Sequence, residues 1–141
     1  MLQKLNEKES YVPDITVFLQ CTSPFTISED IDSTIELLIN NSADSAFAAS
    51  TFKHFLWGKN SKGELIGINH NEKHSRERRQ DIYTQYLEAG SVYVFLTKGF
   101  LKNENRFFGN ISLYEIPQKR LFEIDTPSEL KIANEIEKLL N

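Results

Sequence analysis

A chain of 141 residues is long enough to bury one hydrophobic core and short enough that a single domain, 1–141, is the default. Apolar residues make up 40% and charged residues 26%, the balance of a soluble globular protein, and a formal charge of -4 argues against a nucleic-acid surface. The single cysteine, Cys21, excludes an internal disulfide or an all-cysteine zinc site, and no apolar run approaches the ~18 residues of a membrane span, so cytoplasm is the expected location.

Residues 1–11 form a poorly specified lead-in; residues 2 to 12 could finish a helix, although Met1 to Ser10 shows only a weak apolar face. Ile15-Thr16-Val17-Phe18-Leu19 is a nearly continuous run of β-branched and aromatic residues, which predicts a buried, parallel strand. Thr22-Ser23-Pro24 ends it. Thr26 or Ser28 is then expected to cap a helix with Ile31, Ile35, Leu38 and Ile39 on one face. Asn40-Asn41-Ser42 stops that helix, and Ser45 to Thr51 reads as the next strand. Strand–helix–strand order is the signature of an α/β unit.

Further on, Phe55-Leu56-Trp57 and Glu64 to Ile68 flank a glycine-containing segment and predict a hairpin. Asn69 to Asp81 is polar and without period, hence a loop long enough to suggest function. It carries Lys73, Arg76, Arg78 and Arg79, a cluster suited to a small anion rather than a duplex. Ser91 to Leu96 and Ile111 to Ile116 read as strands, with a short turn or helix at Gly99 to Lys102. Pro127 to Leu140 predicts a helix whose Leu130, Ala133, Ile136 and Leu140 face the core, with Ile132 and Leu139 widening the stripe.

The start of that last helix carries the most pointed chemistry. In Phe122-Glu123-Ile124-Asp125-Thr126-Pro127, Thr126 reads as the N-cap, Pro127 as the first helical residue and Glu129 as the closing member of a capping box. Glu123 and Asp125 stand two apart on an extended segment, so their side chains share a face. Two converging carboxylates suit a divalent metal for phosphate chemistry. The plainer reading is that both acids complement the positive end of the helix. One expected feature is missing: a nucleotide-binding α/β domain carries a glycine-rich phosphate loop after its first strand, yet all six glycines lie at 58 or later and none is clustered.

Several stretches recur in a fixed order: Phe18-Leu19-Gln20-Cys21-Thr22-Ser23-Pro24-Phe25, Ile66-Gly67-Ile68-Asn69-His70, Arg78-Arg79-Gln80-Asp81, Tyr86 to Val94, Arg106-Phe107-Phe108-Gly109, Leu113-Tyr114-Glu115-Ile116-Pro117 and Glu123 to Pro127. Together, over roughly residues 12 to 140, they resemble the C-terminal two-thirds of the bacterial acylneuraminate cytidylyltransferases. The resemblance implies an α/β, nucleotide-diphosphosugar transferase-like (Rossmann-like) layered sheet, incomplete here, with a small β-rich dimerisation excursion. It also implies a Mg²⁺-assisted enzyme, usually a homodimer, that joins CTP to an acylneuraminate-type 2-keto acid sugar with release of pyrophosphate. The N-terminal loop that wraps the CTP phosphates has no counterpart ahead of Tyr11, so these residues alone are expected to be inactive or nearly so.

By the same resemblance, Glu123 and Asp125 match the paired acids that hold Mg²⁺, with Glu standing where Asp is usual. Gln20 matches a residue that hydrogen-bonds the sugar, Arg79 and Tyr93 match positions lining the acylneuraminate pocket, and Phe107 with Phe108 matches an aromatic pair around the acyl group. The Arg79 guanidinium would suit a sugar carboxylate. Each has a plainer alternative: a solvated arginine in a polar loop, a glutamine capping a carbonyl, a core tyrosine, and two loop phenylalanines of which one is core if the segment is extended. His70 and His74 are four apart, but in a loop that spacing does not make a metal site. Cys21 and Ser23 lack the neighbours of a nucleophile.

Overall fold

The computed structural model describes residues 2–75, 78 and 83–140. The chain divides into two compact units, one built from Met1–Ser50 with Glu88–Asn141 and one from Thr51–Leu87. In order, the elements are α1 (Leu2–Glu9), β1 (Ile15–Leu19), α2 (Ser28–Asn40), β2 (Ser45–Phe52), β3 (Trp57–Lys59), β4 (Leu65–Gly67), β5 (Gln85–Leu96), α3 (Thr97–Asn103), β6 (Ile111–Glu115), a single 3-10 turn at Gln118–Arg120, and α4 (Pro127–Leu140).

A four-stranded mixed sheet, ordered β1-β5-β2-β6, organises the larger unit. β2 and β6 run parallel, from Ser45 opposite Ile111 to Ala49 opposite Glu115. β2 is central, and its Ser45, Ala46, Ala48, Ala49 and Ser50 are all buried. Such small side chains leave room for layers on both faces of an interior strand. Leu38 of α2, Ala46, Ala48, Ala89, Val92, Val94 and Ile116 form the core, with Ile31, Ile35 and Leu121 packed against it. The α/β class and the layered sheet are those expected.

β1 departs from expectation. It pairs antiparallel with β5, Phe18 opposite Tyr93, at the edge of the sheet, and Phe18 and Leu19 are exposed. An unbroken apolar run reads alike in a buried parallel strand and in an edge strand, because strand direction leaves no mark on composition.

Both long helices are narrower on their buried side than their sequences suggest. On α2, Leu38 is buried while Ile39 is exposed. On α4, Ala133 is buried, but Leu130, Ile132 and Leu139 are exposed, Leu139 at 86%. The start of α2 is capped by neither Thr26 nor Ser28. Ile27 is the N-cap, and the Asp30 carboxylate reaches back to accept its N–H at 3.2 Å. Asp30 is fully buried and its other oxygen accepts from Arg120 at 2.7 Å, tying α2 to the 3-10 turn.

In the smaller unit, β3 and β4 pair antiparallel as the expected hairpin, Gly58 opposite Ile66. The Asn60 side-chain oxygen accepts from the N–H groups of Lys62 and Glu64, and Gly63 takes φ +80 in the turn. His70 sits edge-on to the rings of Phe55 and Trp57, 4.9 and 5.1 Å between centroids.

Candidate active site

Three segments of the larger unit are stitched together at one end of the sheet. Past the end of β1, the Gln20 N–H donates to the Ser91 carbonyl at 3.1 Å, and the Ser23 hydroxyl donates to the Gly90 carbonyl at 3.0 Å. The Ile124 N–H donates to the Thr22 carbonyl at 2.8 Å. This network draws Gln20, the Gly90 bend of β5 and the Glu123–Asp125 segment into one place.

The Glu123 side chain lies over Gly90. A β-carbon built at Gly90 would fall 1.5 Å from Glu123 Oε1, and Gly90 has φ +61, so glycine both makes the turn and leaves the carboxylate its space. Glu123 is half-buried, and burial, first of all, pushes its carboxyl above the usual range of 4.5; the charges of Asp125 and Glu88 push it further the same way. Asp125 is exposed and its N–H is held by Glu129 Oε2 at 2.9 Å. The capping box is formed as expected, with Glu129 also accepting from the Thr126 N–H at 2.7 Å and donating its own N–H to the Thr126 hydroxyl at 3.3 Å.

These features bear on Mg²⁺. Among the described residues, no group of three or more His, Cys, Asp or Glu could hold a metal by itself. Mg²⁺ asks for less, commonly one or two carboxylates beside substrate phosphates. Two acids close enough for the charge of Asp125 to raise Glu123 are a donor set whose repulsion a hard divalent cation would relieve. The segment supplies two carboxylates, the smaller donor set that such an ion accepts.

Beside the acids stands an aromatic and ionic cluster. The Tyr93 ring is buried, with Phe18 tilted at 6.0 Å on one side and Phe107 edge-on at 5.9 Å on another. Its hydroxyl donates to Glu88 Oε1. Burial, and then the hydrogen bond and charge of Glu88, raise the phenol well above its usual range, so it stays a donor at any ordinary pH. The Arg106 guanidinium lies 3.9 Å above the Tyr93 ring centroid and donates to the same Glu88 oxygen at 3.3 Å. Ser91, two residues before Tyr93 on β5 and so on the same face, has a buried hydroxyl with no partner among the described residues.

The Gln20, Gly90 and Glu123–Asp125 segments thus come from distant parts of the sequence to one end of the sheet, and Phe107 packs on Tyr93 and Phe47. Phe108 turns the other way and packs on Gly99, where a β-carbon would meet its ring at 2.0 Å, so the adjacent phenylalanines do divide between two faces. Arg79 lies outside the described residues. Glu88 and Arg106 were not anticipated as site residues. They are 18 apart, Glu88 on β5 and Arg106 in the loop after α3, a spacing that no helix or strand period links; the one available signal was a cation directly before an aromatic pair.

No protein-family model matches the chain. It is 25% identical over 138 residues to the pseudaminic acid cytidylyltransferase of Campylobacter jejuni subsp. jejuni serotype O:2, an alignment that covers 94% of the chain and 58% of that protein. The protein of the same name from serotype O:23/36 gives the same identity and coverage. The chain therefore spans 58% of the length of these relatives. Its fold matches the crystal structure of 4-diphosphocytidyl-2C-methyl-D-erythritol synthase from Anaerococcus prevotii with a TM-score of 0.61 at 12% identity, covering 96% of the chain and 64% of that protein. The chain is thus similar in sequence to two pseudaminic acid cytidylyltransferases and shares the mixed-sheet α/β fold of that synthase.

Proposed function

We propose that these residues form the sugar- and metal-binding part of a cytidylyltransferase that transfers CMP from CTP to an acylneuraminate-type nine-carbon 2-keto acid sugar. The observation that carries this reading is the Glu123–Asp125 pair, coupled in charge and held by backbone hydrogen bonds beside Gln20 and Tyr93. In the reaction the anomeric oxygen bonds to the α-phosphorus as the bond to pyrophosphate breaks. Glu123 and Asp125 would hold Mg²⁺, which when bound neutralises charge on the α-phosphoryl oxygens and on the leaving group. Gln20 would hydrogen-bond the sugar, Tyr93 would line its pocket, and Phe107 would wall off the acyl group, whereas Phe108 packs away on Gly99. Fixing both reactants in line supplies much of the acceleration in such a transfer.

The test takes the chain with Mn²⁺ as a paramagnetic probe, with and without pseudaminic acid and CTP, and follows pyrophosphate in parallel. Asp125→Asn should weaken Mn²⁺ binding about tenfold or more, the loss expected for one charged ligand. Unchanged metal binding in Asp125→Asn, or no response of the chain to any nine-carbon sugar acid, would overturn the reading.

A further inference from the structure

An acidic substrate entering this site meets three carboxylates, Glu88, Glu123 and Asp125, whose charges already act on one another through Glu123. Mg²⁺ would offset Glu123 and Asp125, and Arg106 is placed to offset Glu88 and the charge of the substrate itself. Its guanidinium rests 3.9 Å over the Tyr93 ring and 5.7 Å from the centre of Phe107, the two aromatic residues assigned to the sugar pocket. Its side chain keeps 37% of its surface accessible. The ion pair that holds it is a loose one. One guanidinium nitrogen reaches one Glu88 oxygen at 3.3 Å, whereas charge-assisted pairs close to about 2.7–2.9 Å and arginine prefers to grip a carboxylate with two parallel bonds. The same Glu88 oxygen is also claimed by the Tyr93 hydroxyl. The fork is thus parked on an aromatic platform, by a partner that does not use its bidentate geometry.

Resting on the sugar-acid reading above, we propose that Arg106 is the specificity-determining residue for the substrate's carboxylate, leaving its single contact with Glu88 to take that carboxylate bidentately while still stacked on Tyr93. Glu88 holds the guanidinium in place when no substrate is bound and keeps the tyrosine hydroxyl engaged when one is.

The test is calorimetric titration of the full chain with pseudaminic acid and with its C1 methyl ester, which keeps the shape and loses the charge. Wild type should bind the acid about tenfold or more tightly than the ester. Arg106→Gln should bind both equally, at the ester's affinity, and Arg106→Lys should recover part of the preference. Glu88→Gln, which removes the resident competitor and leaves Arg106 intact, should tighten acid binding with little change for the ester. A preserved acid-over-ester preference in Arg106→Gln, its disappearance in Arg79→Gln instead, or weaker acid binding in Glu88→Gln would each overturn the assignment to Arg106 while leaving the sugar-acid reading standing. Wild type that binds neither acid nor ester would overturn that reading and this assignment with it.

Discussion

At Gly90 the backbone turns to φ +61, and the carboxylate of Glu123 fills the volume where a side chain would begin. Substitution by alanine therefore has two separable effects. A non-glycine residue held in the left-handed region costs of order 1–3 kcal/mol, and the new methyl group must displace the Glu123 carboxylate. Gly63 supplies the control, since it also has positive φ but nothing lies within 4 Å of its missing β-carbon. Gly90→Ala should lower the urea midpoint and weaken Mn²⁺ binding together. Gly63→Ala should lower stability without touching the metal. Equal metal binding in the two variants would show that Glu123 does not depend on the space at Gly90. The residue scale is also where sequence patterns ran out. The pair Glu123 and Asp125 could be picked out because spacing of two on an extended segment puts side chains on one face. Glu88 and Arg106 could not, because what joins them is the ring of Tyr93 rather than any period in the chain.

Among the elements, α4 shows which local signals survive folding. Its start was legible to the residue: Thr126 caps, Pro127 opens the helix and Glu129 closes the box. Here the cap is made by hydrogen bonds within four residues; at α2, where the buried Asp30 also serves the distant Arg120, the cap fell on Ile27 rather than on Thr26 or Ser28. Its buried face was less legible, because a stripe of apolar residues shows which side is apolar but not how much of that side a neighbour covers; Ala133 is buried, Leu130 and Ile132 are not. β1 is the same lesson in a strand, apolar enough for an interior and yet at the edge. The capping box also titrates. Hydrogen bonds from the Asp125 N–H, the Thr126 hydroxyl and the Thr126 N–H hold the Glu129 carboxyl below its usual 4.5. A carboxylate depressed in the folded state stabilises above its unfolded pKa, and that contribution is lost as pH falls through the folded value. Glu129→Ala should therefore melt earlier than wild type at neutral pH, and the gap should close as both are acidified below 4.5. A gap independent of pH would mean that the lost stability is not the ionised cap.

For the molecule as a whole, the α/β order and the hairpin were open to a reader of the sequence, because each follows from periodicity or turn chemistry over short spans. The division of the chain into two units was less so; Thr51–Leu87 is an insertion whose boundaries fall inside continuous strands, β2 and β5. That smaller unit has its own problem of stability. Its paired strands are three residues each, and Trp57, Leu65 and Ile68 are exposed at 55, 65 and 62%. A two-stranded hairpin is marginal by itself in water, and the register puts exposed Trp57 and Leu65 on one face of it, with Ile68 on the other over Gly58, so the Trp57 face is a candidate contact surface. We propose that a second copy of the chain covers it, consistent with the homodimer implied by the resemblance. Light scattering should then give twice the 16.3 kDa of the chain. Trp57 is the only tryptophan, so its emission reports on this surface directly. Leu65→Lys should halve the mass and shift that emission to the red, while leaving Mn²⁺ binding at Glu123 and Asp125 unchanged because those residues belong to the other unit. A wild-type chain that stays monomeric at every concentration up to that used for calorimetry would exclude the dimer.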